Sequence, residues 1–280
     1  MKLLTATVRD NCDISLHGDA HEGNALTSRS GLESVIAWIA AKSNRYFVNM
    51  GDELEGITTD DKRYQADTTT EPIPMRQTRA VIERYTSIRK RGLAWLGGNH
   101  NFTLHRFGNL TEHIAQELGI PYGTWSCKLL LRDGRGPIAK LYLTHGFRGT
   151  ITSNAKDFEQ REANMKASLK MRLVNKASDC IVMSMGHSHK LMVVEPAQRL
   201  ILTDDGRQLI QHYLGPGNGL DDYIEPDRRW YCNTGSFLRT FALEMDGYAE
   251  RAGYDPVELG HVVVEIRDRA VVACRKVVVE

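Results

Sequence analysis

Five short clusters are where this chain could do chemistry: Asp19-Ala20-His21, Gly51-Asp52, Gly98-Asn99-His100, His145-Gly146 and Gly186-His187-Ser188-His189. Carboxylate, amide oxygen and imidazole together suit divalent first-row metals such as Mn, Fe, Zn, Co or Ni, rather than a soft thiolate site. The seven candidate ligands are Asp19, His21, Asp52, Asn99, His145, His187 and His189. They exceed what one tetrahedral ion uses and fit two ions sharing a bridging carboxylate. Two metals ~3.5–4 Å apart form a device for in-line displacement at phosphorus. Glycines beside the ligands permit tight turns and close backbone approach to a substrate.

Such residues must be brought together by the elements around them. Residues 14–16 read as a strand ahead of Asp19, residues 46–50 as a strand ahead of Asp52, and residues 93–96 as a strand ahead of Asn99. Helical spacing of apolar residues predicts helices over 32–41, 75–90 and 110–118 between and after them. Strand–helix alternation of this kind implies parallel pairing with helices covering the sheet. The second half is strand-rich, with strands expected at 128–131 and 139–144 around the Gly134-Arg135-Gly136-Pro137 turn. A polar helix over 156–176 and the apolar run 180–183 come next, then strands at 191–194, 200–203, 208–212, 230–233, 262–266 and 270–279. Asp205-Gly206 is a hairpin signal. Residues at the carboxyl ends of parallel strands converge on one crevice, which is where open α/β sheets place ligands.

The ordered set DAH, GD, GNH, HG and GHSH resembles the calcineurin-like metallophosphoesterases, whose pattern is DxH, GD, GNH[D/E], H, GHxH. The match runs from Asp19 to His189. The resemblance implies an α/β fold of two mixed β-sheets packed face to face and flanked by helices, an α-β-β-α sandwich. It is expected as a single domain over residues 1–280, with a helical insertion near 150–178 and a strand-rich C-terminal part. Carried over by motif, Asp19, His21 and His189 hold one metal, and Asn99, His145 and His187 hold the other. Asp52 bridges them, and His100 stands outside the metals near the leaving-group oxygen. The implied cofactors are two divalent ions, Mn²⁺ first, with Fe, Zn, Ni or Co compatible. The segment Tyr231-Cys232-Asn233-Thr234-Gly235-Ser236-Phe237 resembles a strand and turn that come after GHxH in the family, and a structural role beside the site is expected for it.

The implied activity is hydrolysis of a phosphate ester by a metal-bridging hydroxide, with His100 assisting the leaving group. A phosphodiester of a nucleotide or nucleic acid is slightly preferred; a small-molecule phosphomonoester is the alternative. A non-catalytic binding scaffold on the same fold is a further alternative, weakened because all seven ligand positions are intact. Two departures are informative. Asn101 stands where the family has Asp or Glu, and an amide can hydrogen-bond but carries no charge. Gly51-Asp52-Glu53-Leu54-Glu55-Gly56 lacks the Asp-Arg-Gly of the Ser/Thr protein phosphatases, which argues against that assignment.

Composition sets the remaining bounds. With 36 Lys+Arg against 35 Asp+Glu, the formal net charge is +1, which excludes a broadly basic nucleic-acid coat. Local basic stretches remain: residues 75–92 carry Arg76, Arg79, Arg84, Arg89, Lys90 and Arg91 against Glu83. Residues 148–176 carry Arg148, Lys156, Arg161, Lys166, Lys170, Arg172 and Lys176 against three acids. Either could track a polyanion, though a solvated helix face is the plainer reading. Arg148, three residues past His145, is the candidate for touching substrate phosphate. The five cysteines are scattered and never form CxxC, as expected of reduced, mostly buried thiols. No run approaches the ~20 apolar residues of a membrane span, and the first ten residues reach charge too early for a signal peptide. A cytoplasmic protein without membrane insertion is expected, its oligomeric state unspecified. Outside the motifs, His17 is expected at a strand end or in the core, and His105, His113, His212 and His261 at or near the surface. The loop 215–222 reads as either a lid or a connection.

Overall fold

In the computed structural model the described residues are 1–147, 149–245 and 247–279. In chain order the elements are β1 (Lys2–Thr7), β2 (Cys12–His17), α1 (Arg29–Ala40), β3 (Arg45–Asn49), α2 (Pro74–Thr86), β4 (Gly92–Trp95), α3 (Asn99–Thr103) and α4 (Leu110–Leu118). The chain continues through β5 (Ser126–Asp133), β6 (Gly136–Thr144), α5 (Phe158–Leu173), β7 (Val182–Met185), β8 (Leu191–Val194), β9 (Arg199–Asp204) and β10 (Leu209–Leu214). It ends with β11 (Trp230–Thr234), α6 (Tyr248–Arg251), β12 (Gly260–Arg267) and β13 (Ala270–Val278).

Two mixed sheets form the centre. One has the order β1-β5-β6-β7-β11-β8 and the other β13-β12-β2-β3-β4. In the second, β2, β3 and β4 are parallel while β12 is antiparallel to β2. In the first, β6, β7 and β11 are parallel neighbours, and β5 returns antiparallel to β6 through the expected turn. The inner faces meet through Ile14, Leu16, Val48, Leu129, Leu141, Leu143, Val182 and Val264, all buried. Each such side chain contributes ~1.5–3 kcal/mol by leaving water.

Helices cover both outer faces. Leu32 of α1, Val81 of α2 and Ile114 of α4 pack with Phe47 and Trp95 on the five-stranded sheet. Leu169 and Leu173 of α5 pack with Tyr142, Met183 and Tyr231 on the six-stranded one. This is the α-β-β-α sandwich. Local signals place the helices: Ser28 Oγ accepts from Gly31 N, Asn109 Oδ1 from Glu112 N, and Asp157 Oδ1 from Gln160 N. The polar helix expected over 156–176 runs from Phe158 to Leu173, its start fixed by the Asp157 cap.

Three regions differ from, or add to, the sequence reading. β1 pairs parallel with β5 from Lys2↔Cys127 to Thr7↔Arg132, on an edge where alternating exposure hides the pattern. The apolar run at 180–183 becomes strand only from Val182 to Met185. The loop 215–222 is a packed connection: Gly219 O accepts from Lys140 N within β6, and Arg228 bonds the Gly215 and Pro216 carbonyls. All five cysteines are free and buried. Among the described residues no helix is long and apolar enough to cross a membrane.

The topology brings the five motif clusters to one end of the sandwich. His17 at the end of β2 pairs with Asn49 at the end of β3, and Asn49 pairs with Trp95 at the end of β4. In the other sheet Thr144 at the end of β6 pairs with Met185 at the end of β7. Asp19, Asp52, Asn99, His145, His187 and His189 all lie a few residues beyond these ends.

Candidate metal centre

The loops after the strands bend sharply. Asp19, His21, Asp52, His187 and His189 have φ of 51°, 52°, 50°, 68° and 54°. L-residues enter this left-handed region at a cost of ~1–3 kcal/mol each, and such outliers cluster at functional sites. Two glycines show how tight the packing is. A Cβ on Gly98 would stand 2.1 Å from Asp52 Oδ1, and Gly51, at φ +97°, leaves no room for one beside His145.

Three overlapping groups of donor atoms result. Asp19, His21 and His189 form one; His21, Asp52 and His100 a second; Asp52, His145 and His187 a third. In the first, His189 Nε2 lies 3.2 Å from Asp19 Oδ1 and 3.3 Å from His21 Nε2. In the third, His145 Nε2 lies 3.1 Å from Asp52 Oδ2 and 2.9 Å from Asn99 Oδ1. All seven predicted ligands are thus brought together, and His100 joins them. Arg148, the predicted phosphate contact, lies outside the described residues.

The outward nitrogens decide which atoms are free. His145 Nδ1 is 2.9 Å from Met50 O, which can only accept, so the hydrogen sits on Nδ1 and the Nε2 lone pair faces the centre. His21 Nδ1 likewise donates to Glu55 Oε2 at 2.8 Å, and His100 Nδ1 to Glu55 O at 2.6 Å. Imidazoles held in this way by a carboxylate or carbonyl are typical metal ligands. Lone pairs of nitrogen and oxygen then face one another, and buried Asp19 Oδ1 has no hydrogen-bond partner. Ligand atoms aimed at one another call for positive charge between them, a proton or a metal ion, and the residues fit divalent ions.

The electrostatics carry the same message. Burial works against the His145 imidazolium, but Asp52 reverses this and raises its pKa to about 9. Burial also works against the Asp52 carboxylate, yet His145 and His100 hold it below the ordinary range. The site pulls in positive charge and takes protons where no metal is available. His100 is lowered from its ordinary value by burial and by neighbouring His21.

Two acids here escaped the sequence reading. Glu55 orients His21 and lies 3.7 Å from His100 Nδ1. The signal was its place three residues after Asp52, inside the same turn. Glu53 is fully buried, and burial raises its pKa to about 7. The segment 231–237 does border the site: Ser236 Oγ donates to Asp19 O at 3.0 Å, Phe237 N to the same oxygen, and Asn233 Nδ2 to Ser188 Oγ.

His17 is in the core as expected, bonded to Ser15 Oγ and Tyr85 OH. His261 is a correction, being only 2% exposed and bonded to Ser15. The basic stretches are largely committed within the chain. Arg84 pairs with Glu22 at 2.6 Å, Arg91 donates to Lys42 O, Lys170 pairs with Asp227, and Lys166 with Glu162.

No family model matches the chain, and no curated protein matches it. Solved structures do match. A single mutant of Vps29 from Entamoeba histolytica is 13% identical, over 96% of this chain and 99% of that one, with a TM-score of 0.37. Vacuolar protein sorting 29 from Cryptosporidium parvum is 14% identical, over 92% of this chain and 86% of that one, at 0.38. The Haemophilus influenzae NAD nucleotidase NadN is 12% identical, over 96% of this chain but half of that one, at 0.39. These overlays are loose. What the chain has in common with the calcineurin-like metallophosphoesterases is the five ordered motifs and the sandwich whose strand ends carry them.

Proposed function

We propose that the chain is a phosphoric ester hydrolase working at a dimetal centre. The observation that supports this reading is the convergence of donor side chains from five strand ends: Asp19, His21, Asp52, His145, His187 and His189 in overlapping groups, with Asn99 Oδ1 beside His145 Nε2. Asp19, His21 and His189 would hold one divalent ion and Asn99, His145 and His187 the other, with Asp52, common to two groups, serving both. When bound, the ions supply an activated water at neutral pH and offset the charge of the phosphate oxygens.

The chain's own residues do the rest. Glu55 and the Met50 carbonyl keep His21 and His145 in the tautomer that offers Nε2. His100 stands at the rim with Nδ1 tied to Glu55 O, so Nε2 is the atom that meets the departing oxygen. It donates a proton there as the imidazolium, a form that burial opposes and a bound phosphate anion favours. The buried Asp19 and Asp52 leave only two formal negative charges among the seven ligands, so the loaded crevice attracts phosphate although the whole chain is near neutral.

A phosphodiester of a nucleotide or nucleic acid stays the first substrate class to test, with phosphomonoesters second. The internal pairing of Arg84, Lys166 and Lys170 reduces the support that the basic stretches gave to the former. The direct test is purification, loading with Mn²⁺, and assay on bis(p-nitrophenyl) phosphate against p-nitrophenyl phosphate. Hydrolysis of either, with about two ions per chain by elemental analysis, is expected. Inactivity on both, with no bound metal, sinks the proposal.

A further inference from the structure

Behind the centre, three buried polar side chains from three elements close on one another. Asn101 Nδ2 donates to Glu53 Oε1 at 2.6 Å and contacts Thr111 Oγ1 at 2.5 Å. Glu53, Asn101 and Thr111 are 0%, 5% and 2% exposed. Their positions in the chain give the contact its meaning. Glu53 directly succeeds Asp52, Asn101 directly succeeds His100, and Thr111 sits in the first turn of α4. The contact therefore joins the loop that carries Asp52 to the one that carries Asn99 and His100.

α3, which presents Asn99 and His100, is only five residues long. So short a helix cannot hold its own direction, because isolated helices below ~12 residues are marginal. Its orientation must come from side-chain anchors. On the front, His100 N donates to Asp52 Oδ1 at 2.9 Å. At the back, the anchor is the Asn101 amide. As folded, Asn101 is the donor of that anchor and Glu53 the acceptor. A carboxylate at 101 would remove that donor, and two buried carboxyl groups could stay together only by sharing a proton.

We propose that Glu53, Asn101 and Thr111 form a clamp that sets the position of His100 over Asp52, making Glu53 and Asn101 positioning residues for protonation of the leaving group. This rests on the phosphoesterase reading for the role of His100, and the test separates the two. The wild type, Asn101→Asp, Glu53→Gln, the pair Glu53→Gln/Asn101→Asp, and each in a His100→Asn background are loaded with Mn²⁺. They are assayed on an aryl ester, whose nitrophenolate leaves unaided, and an alkyl ester, whose alkoxide needs a proton. The probes are bis(p-nitrophenyl) phosphate and a thymidine dinucleotide for a diesterase, or p-nitrophenyl phosphate and glycerol phosphate for a monoesterase.

Misplacing a catalytic group by ~1 Å costs on the order of 10²-fold. Asn101→Asp should therefore lower kcat on the alkyl ester about 10–100-fold, with KM and metal content held and a much smaller loss on the aryl ester. Glu53→Gln keeps an acceptor oxygen for Asn101 and should lose less than Asn101→Asp. The paired variant reverses donor and acceptor and should recover most of the loss. In the His100→Asn background, Asn101→Asp should cost nothing further.

Equal losses on both esters, full additivity with His100→Asn, or no recovery in a folded paired variant would each overturn the clamp. If the wild type cleaves neither ester, the functional reading fails on its own. The clamp is then tested by the His100 ring nitrogen signals in NMR, which should move in Asn101→Asp and return in the paired variant. Unmoved signals overturn it.

Discussion

The two halves of the candidate centre are built differently. His21 is backed by charge: Glu55 grips its Nδ1, and burial of Glu55 is outweighed by that hydrogen bond, which holds its carboxyl below the ordinary range. His145, Asn99 and His187 are backed by neutral groups, with the Met50 carbonyl on His145 and an amide oxygen as a ligand. Supports also differ beneath the loops. β2, which leads into the first half, carries the polar chain Tyr85–His17–Ser15–His261. β6, which leads into the second, is packed by Leu141 and Leu143. A carboxylate behind an imidazole makes it a stronger donor. The first half should therefore bind its ion more tightly, and should also be the half more easily upset by acid.

Asp52 belongs to both halves, so its loss should be the most severe. Asp52→Asn removes a charge common to two of the three donor groups. Metal-centred charge stabilisation is worth several kcal/mol, and each 1.36 kcal/mol is tenfold, so a loss on the order of 10³-fold or more is expected. Elemental analysis should find both ions depleted; retention of one at full occupancy would mean Asp52 serves a single half. Next in size is His100→Asn. A positioned acid contributes ~10²–10⁴-fold, and the variant should lose turnover in that range while keeping its metal. Depletion of metal would make His100 a ligand, consistent with its place in the group of His21 and Asp52.

How much of this was legible in the sequence depends on the partners each residue answers to. Asp19, Asp52, Asn99, His145, His187 and His189 could be placed because each comes just after a short apolar run, and parallel strands deliver their trailing loops to one end. Phe47, Trp95 and Leu143 gave those runs away. β1 was hidden because its inward face is only half-buried Leu4 and Ala6, while Leu3 on the other face is exposed. Glu53 and Glu55 were illegible for another reason. An acid's role depends on which donors it meets, and Asn101 and His21 are brought to these two only by folding. His261 looked like an ordinary surface histidine because its partners, Ser15 and Trp38, lie far away in sequence.

Glu55→Gln tests the comparison directly. The amide oxygen can still accept from His21 Nδ1, but the charge is gone. Changes of this kind behind a ligand typically cost 10–100-fold in metal affinity. The expected result is weakened binding of one ion and little change in the other, read as two steps in a calorimetric Mn²⁺ titration. Equal weakening of both would show that the charge of Glu55 serves the whole centre, and the distinction between halves would fail.

The smallest effect concerns the polar chain under β2. Burial pushes His261 down to about 4, and burial followed by the charge of His261 pushes His17 down to about 3. Both are therefore neutral in the folded chain where an unfolded histidine, near 6.5, begins to take a proton. Between these values the unfolded state binds more protons, so stability rises with pH there. The contribution is complete above about 6.5 and is lost as pH falls toward 4. In metal-free protein, urea midpoints should drop as pH falls from 7 to 5. His261→Gln removes one of the two groups and should make that decline shallower by at most about 1.4 kcal/mol per pH unit. The difference between the two slopes reports His261 together with its effect on neighbouring His17. An unchanged slope would mean that His261 carries no such proton linkage, leaving His17 and the ligands as the source of the acid sensitivity assigned to the first half.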